Sequence, residues 1–402
     1  MVYLKVLGGS LKTASRDKRE LSVAKALGYD VHVIEGVSGE GDFEYVYEGY
    51  SVLAIATKPI HTPTWLQKRL HWVGIKTLFK FVFKVWKIEA DIISGHDWFC
   101  LLATYIANLF KWRRAKLIYD SHEFELYQDP SRSRLKLWVL KMVEGFLIRR
   151  VNLALMVGDK IADGVQEIYR LKTRPTVVRN IPQYWHLEPE KSASIRRQFL
   201  EKIGLPTTGF LLMYHGGIVP GRGIEYAIQA LPFLPDDIGL VIMGYENFPG
   251  MIETLRVLAK EKGVAHRVYF HPAVPVAELK DYIGAVDVEL VLIEGKYCVS
   301  YEYSLPNKFF ESIQACVPMI CANLPEMGRI VQQWDIGLLV HEDDAKSVAD
   351  AVMELRNDKS LYDRLKKNMG KAKEELCWEK ESLKLNLAIQ EVAGEMEASC
   401  KA

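Results

Sequence analysis

Short runs of β-branched and aliphatic residues alternate with longer segments of helical period along the whole chain. "VYLKVLG", "DVHVIEG", "ADIISGH", "AKLIYDS" and "LALMVG" read as strands of the first half. "FLLMYHGG", "IGLVIMG", "RVYFHP", "VDVELVLI" and "VPMICAN" read as strands of the second. Helix-length segments separate most of them, which is the signature of parallel sheets covered by helices on both faces. The pattern restarts near Phe210, after a stretch rich in Pro, Ser and charge, and this places a boundary near 183–195. At 402 residues the chain suits two domains better than one. The predicted fold is α/β: two Rossmann-like doubly wound domains, 1–185 and 186–377, facing a central cleft, followed by a last segment, 378–402.

Doubly wound sheets bind ligands at the carboxyl ends of strands, beside helix N-termini. In "YSLPNKFFESIQACVPMI" Pro306 opens a helix, and Phe310, Ile313 and Val317 follow at helical spacing. Lys308 then falls in the first turn, where the helix dipole already disfavours a cation. In "YHGGIVPGRGIEYAIQAL" Gly216, Gly217, Gly221 and Gly223 fill a loop after a strand, and Arg222 stands at the mouth of the next helix. Two cations at helix starts, beside glycine N–H groups able to cradle phosphate oxygens, point to a diphosphate. The plainer alternative is a pair of solvated surface cations. Glu311, three residues after Lys308, is placed to accept two hydroxyl hydrogen bonds, as from a ribose, or to pair with Lys308. In "VLGGSLKTASRD" Gly8 and Gly9 follow a strand without GxGxxG spacing, which serves either a donor contact or a tight turn. In the first half, "DSHEFEL" delivers His122 and Glu123 to a strand end, and "DIISGHDWF" delivers His96 and Asp97. These side chains suit sugar hydroxyls, although Asp97 also reads as a helix N-cap.

Composition narrows the picture further. A hydrophobic share of 49% with 26% charged residues excludes a disordered or membrane-embedded chain. The net charge of +1 hides an asymmetry: residues 1–185 carry 28 Lys+Arg against 19 Asp+Glu, so the basic half is the better partner for an anionic substrate or surface. The six cysteines have no zinc-like spacing and read as reduced thiols of a cytoplasmic protein. The first residues are too polar for a secretory signal, and no apolar run reaches the ~20 residues of a membrane span. Residues 64–90 combine a stripe of Lys76, Lys80, Lys84 and Lys87 with many aromatics. That segment reads either as a helix lying on an anionic membrane surface, peripheral on its inner face, or as an ordinary domain helix. No nucleic-acid-binding module is recognised. No Asp-x-Asp motif lies near a strand end, so the expectation is that no metal is used.

The stretches "GGIVPGRGIEYAIQAL", "VYFHPAVPVAELKDYIGAVDVELVLI" and "SLPNKFFESIQACVPMICANLPEMGRIV" resemble glycosyltransferase family 4, as do "DSHEFEL" and "SRDKRELSVAKALGYDVHVI". The resemblance covers nearly the whole chain. It implies the GT-B fold and a retaining hexosyltransferase with a UDP-sugar or GDP-sugar donor and no other cofactor. It implies that Arg222 and Lys308 hold the donor diphosphate within the motif that includes Pro306 and Asn307, and that Glu311 holds the ribose. His122 would lie near the reacting sugar, so that His122, Arg222 and Lys308 form the catalytic set. The first domain would take a glycan or lipid-linked acceptor, with His96, Asp97 and Glu123 on that side. The stretch after Trp378 would cross back onto the first domain. The position eight residues before Glu311, acidic in many members, is Tyr303, placed here among the donor contacts; in an extended segment the adjacent Glu302 would point the other way. A non-catalytic nucleotide-binding partner subunit and a sugar-nucleotide epimerase are the alternatives.

Overall fold

The structure, a computed structural model, describes residues 1–39, 41–58, 70–129, 131–341 and 343–400, the side chains of 58, 70–73 and 395–400 excepted. It divides into two compact units, Met1–Arg179 together with the residues from Ser382 on, and Asn180–Glu381.

The first unit is built on strands β1 (Val2–Leu7), β2 (Asp30–Ser38), β3 (Phe43–Tyr47), β4 (Tyr50–Lys58), β5 (Ile92–His96), β6 (Lys116–Ser121), β7 (Leu153–Met156) and β8 (Thr176–Val177). Their order is β3-β4-β2-β1-β5-β6-β7-β8. All neighbours are parallel except β3 and β4. That antiparallel pair and β8 depart from the expected pattern of strands. The two-residue turn Glu48-Gly49, with φ of 50° and 80°, closes β3 onto β4. Left-handed φ at both turn positions matches the twist of a tight hairpin. On one face, Phe81 and Val85 of the helix Leu70–Lys87 and Cys100 and Ala103 of the helix Asp97–Leu109 pack on Leu4, Val6, Ile34 and Ile93. Each large apolar side chain buried in this way contributes about 1.5–3 kcal/mol. The chain leaves β1 in one direction for β2 and returns on its other side at β5, so the carboxyl ends of β1, β5 and β6 lie side by side. This is the switch point at which doubly wound sheets bind ligands.

The second unit carries β9 (Phe210–His215), β10 (Ile238–Gly244), β11 (Val268–Pro272), β12 (Val288–Val291), β13 (Met319–Ala322) and β14 (Gly337–Val340). Their order is β11-β10-β9-β12-β13-β14, all parallel, with β14 beyond the expected set. The reversal falls between β9 and β12, and the glycine loop follows β9. Gly223 caps the helix Ile224–Ala230 at φ +70°, and a Cβ there would lie 1.9 Å from the carbonyl oxygen of Leu292. Only glycine lets the loop approach the end of β12 so closely. The helix Asn307–Gln314 buries Phe309, Phe310 and Ile313 against Val291, Met319 and Cys321. One local expectation is corrected: Val299–Glu302 is a helical turn capped by Tyr303, not an extended segment, so the opposite-face argument for Glu302 does not hold.

Candidate active site

In the second unit the helix N-terminus places Lys308 under the glycine loop. Pro306 is its N-cap, and the Oδ1 of Asn307 accepts a hydrogen bond of 2.7 Å from Asn180. Lys308 is 7% exposed, and among the described residues its Nζ has no hydrogen-bond partner. The ammonium lies 3.2 Å from the centre of the Tyr214 ring, and its Cε is 3.5 Å from where a Cβ on Gly216 would stand. Gly216 itself has φ +120°. Burial, and next the charge of Arg222, hold the Lys308 ammonium well below its usual pKa, against the pull of Glu289 and Glu311. The half-buried Arg222 places its guanidinium 4.5 Å over the Tyr301 ring. Tyr214 donates to the carbonyl of Gly217 at 2.7 Å, fixing the ring beneath Lys308. Two cations thus face one glycine loop, and the more deeply buried one has no carboxylate in direct contact among the described residues. An unpaired buried charge is costly unless a ligand supplies the opposite charge.

Glu311 does not pair with Lys308. Its Oε2 lies 2.9 Å from Nε2 of His215, the last residue of β9, while Nδ1 of that imidazole lies 2.7 Å from Oε1 of Glu289. Burial opposes a charge on His215, but the carboxylates of Glu289 and Glu311 outweigh it and raise its pKa to about 9. Neither His215 nor Glu289 was among the residues expected from the sequence. The half-buried Tyr303 lies just before the helix that carries Glu311, its hydroxyl made less acidic by burial and by Glu302.

In the first unit the switch point gathers His96 and His122, with ring centres 3.7 Å apart. Beneath them lies a buried ionic network that sequence reasoning did not reach. The ammonium of Lys5 sits 3.1 Å from Asp17, 2.5 Å from Glu20 and 3.1 Å from Asp120. Arg16 donates to Asp120 at 2.6 and 2.9 Å. Asp120 in turn holds Nε2 of His122 at 2.9 Å, and Asp17 holds Nδ1 of His96 at 3.0 Å. Burial disfavours the charge on both carboxylates, yet Lys5 at Asp17 and Arg16 at Asp120 hold them below their usual range. Burial likewise opposes charge on His96, but Asp17 and Asp97 raise its pKa to about 10. Asp17, His96 and His122 bring metal-capable atoms within 4.8 Å of one another, as do Asp17, Glu20 and Asp120. Lys5 occupies the position and supplies the charge that a cation would take there.

Asp97 is not the helix cap. The N-cap is His96, no side-chain cap bond forms, and Asp97 has φ +60° with its Oδ2 2.9 Å from Nε2 of His96. A left-handed backbone costs a non-glycine residue roughly 1–3 kcal/mol, with aspartate among those that tolerate it best, and here it accompanies the contact of the Asp97 carboxylate with the His96 ring. Asp97 also shares a hydrogen bond with the buried Glu125, whose acidity burial and then Asp97 weaken to a pKa of about 10. Glu123 is half-buried nearby, and Gly8 and Gly9 are exposed just beyond β1.

Residues 22–181 match the family described as Glycosyltransferase Family 4, and residues 195–372 match Glycosyl transferases group 1. A D-inositol 3-phosphate glycosyltransferase from Xylanimonas cellulosilytica is 29% identical over 189 residues, 46% of this chain and 43% of that protein. The match therefore spans less than half the length of that relative. Sucrose-phosphate synthase from Thermosynechococcus elongatus superposes with a TM-score of 0.78 at 17% identity, covering 98% of this chain and 100% of the other. HepE from Anabaena, solved in complex with UDP, gives 0.72 at 15% identity, covering 98% and 100%. These likenesses show the fold, which is GT-B. Each half of the chain matches a glycosyltransferase description of its own, and the chain belongs to glycosyltransferase family 4.

Proposed function

We propose that this protein transfers a hexose from a UDP- or GDP-linked donor to a glycan or lipid-linked acceptor, with retention of anomeric configuration. The observation that carries the reading is the buried, unpartnered ammonium of Lys308 beside Arg222 and the glycine loop. A donor diphosphate supplies the missing anion. As the glycosidic bond to the donor breaks, charge builds on the departing nucleoside diphosphate, and the two cations with the loop N–H groups stabilise it. Glu311 accepts the ribose hydroxyls, and the donor phosphate takes the acceptor proton. No metal or further cofactor is assigned to this chemistry. His122 is assigned to a hydroxyl of the reacting sugar, and His96, Asp97 and Glu123 to the acceptor. The UDP bound to HepE supports a nucleoside-diphosphate donor, and the D-inositol 3-phosphate glycosyltransferase relative supports sugar transfer as the reaction. Titrating the protein with UDP and GDP, then assaying the corresponding sugar nucleotides for release of the diphosphate with and without acceptors, tests the reading. Binding without turnover would favour a non-catalytic partner subunit, and donor conversion without acceptor would favour an epimerase.

A surface of the first unit favours the lipid-linked acceptor and a place on the inner face of a membrane. In the helix Leu70–Lys87, Ile75, Phe79, Phe83 and Trp86 are exposed beside Lys76 and Lys87, while Lys80 and Lys84 pair with Asp42. The part of the segment at 64–69 lies outside the described residues. Trp86 donates to the carbonyl of Phe110 at 3.2 Å, and Tyr105 meets Phe146 edge-on, which links three helices. The third, Arg134–Ile148, exposes Leu135, Trp138, Val139 and Met142 beside Arg134, Lys136 and Lys141. Exposed aromatics among cations suit the headgroup layer of an anionic bilayer. No described helix is long and apolar enough to cross a membrane.

A further inference from the structure

We propose that His215 is a positioning residue: held between two carboxylates, it fixes Glu311 in the orientation that reads a ribose. The inference rests on the donor reading above and goes beyond it, to what makes the site selective for a nucleoside over a bare diphosphate.

The geometry is that of a clamp. Nδ1 of His215 lies 2.7 Å from Oε1 of Glu289, and Nε2 lies 2.9 Å from Oε2 of Glu311. A carboxylate can only accept, so both ring nitrogens must donate, and the imidazole is an imidazolium. The backbone N–H of His215 also donates to Oε1 of Glu289, at 3.2 Å, so Glu289 is tied to the strand end as well as to the ring. His215 is 3% exposed and Glu289 is fully buried, whereas the Glu311 side chain is 15% exposed. The clamp is therefore rigid at its Glu289 end and open at its Glu311 end. One oxygen of Glu311, Oε2, is engaged by His215, which leaves Oε1 of this partly exposed side chain for a ligand. Without the imidazolium, Glu311 would lose its hydrogen-bonded partner and face the like charge of Glu289, with only the longer-range pull of Lys308 to hold it. Charge-assisted hydrogen bonds of this kind are short and directional, which suits a group that must present one oxygen to a diol.

Two substitutions separate the two ends of the clamp. An Asn amide overlays Nδ1, so His215→Asn keeps the link to Glu289 and loses the contact with Glu311. A Gln amide overlays Nε2, so His215→Gln retains a donor towards Glu311. The affinities of both variants and of the parent are measured by calorimetry for UDP, GDP, their 2′-deoxyribose counterparts and inorganic diphosphate. The expected result is that His215→Asn weakens the preferred ribonucleotide about tenfold, closes the gap between it and its deoxy counterpart, and leaves inorganic diphosphate unchanged. His215→Gln should recover part of that gap. Equal losses for all ligands in both variants would mean that His215 serves only the fold, and would overturn the proposal. An unchanged ribose-to-deoxyribose ratio in His215→Asn would overturn it too. If the parent binds inorganic diphosphate but neither nucleotide, the donor reading itself fails, and the proposal falls with it.

Discussion

Two buried lysines sit near the switch points of the two sheets, and their surroundings are opposite. Lys5 is fully enclosed and touches three carboxylates, which raise its pKa against the burial that would lower it. Lys308 is almost as deeply buried, touches none among the described residues, and has its pKa lowered. A charge that folding has already paired belongs to the architecture. A charge that folding has left unpaired is held for a ligand, because its burial is otherwise unfavourable.

The largest expected effect falls on stability. Lys5→Met leaves Asp17, Glu20 and Asp120 together without their common cation, and should cost about 3–5 kcal/mol, read as a lowered urea midpoint. Lys308→Met removes an uncompensated charge and should leave that midpoint unchanged or raised. If the two variants shifted it equally, the distinction between the two lysines would collapse.

Acid should sharpen the contrast. Asp17 and Asp120 have folded pKa values below the usual 3.8, so their stabilisation is present above about pH 4. It is lost as the pH falls through the depressed values. A circular-dichroism titration of the parent should therefore show an acid transition below pH 4 that is weakened in Asp120→Asn.

Ligand binding comes next in size. Lys308→Met should lose about 1.5–3 kcal/mol of nucleoside-diphosphate affinity, or about ten- to a hundredfold, by the same calorimetry. An exposed lysine elsewhere, such as Lys346, which pairs with Asp350, should change it by less than twofold when replaced by methionine. The smallest effect concerns the exposed aromatic face. Phe79→Ser with Lys76→Gln should reduce cosedimentation with anionic vesicles at low salt, by about 1 kcal/mol for the charge alone.

The parts of this picture that could be read from the sequence are those carried by neighbours along the chain. The alternation of strands and helices gave the sheets, and Lys308, Pro306 and Glu311 share one helical turn. The hairpin of β3 and β4 broke the alternation, because a Glu48-Gly49 turn carries no helix and the exposed β3 has little apolar signal. The clamp was out of reach because Glu289 and Glu311 lie 74 and 96 residues from His215 along the chain. Lys5 did leave a trace: a lysine inside the apolar run "VYLKVL" must either point outwards or find partners, and only the fold supplies three. Asp97 looked like a cap because its residue type and place suited one, whereas its left-handed backbone is not encoded in residue type.

The most direct test of the central claim is the proton balance of nucleotide binding. Free Lys308 has a depressed pKa, and a bound diphosphate raises it, so binding should draw in a proton between the two values. Affinity should be highest below the free pKa and fall as the pH rises through that window. Calorimetric titration of the parent and Lys308→Met with UDP and GDP, in buffers of different ionisation enthalpy, measures this. The account predicts proton uptake in the parent with one of the two diphosphates, and neither uptake nor tight binding in the variant. Equal affinity and equal proton balance in both proteins would show that Lys308 does not receive the diphosphate.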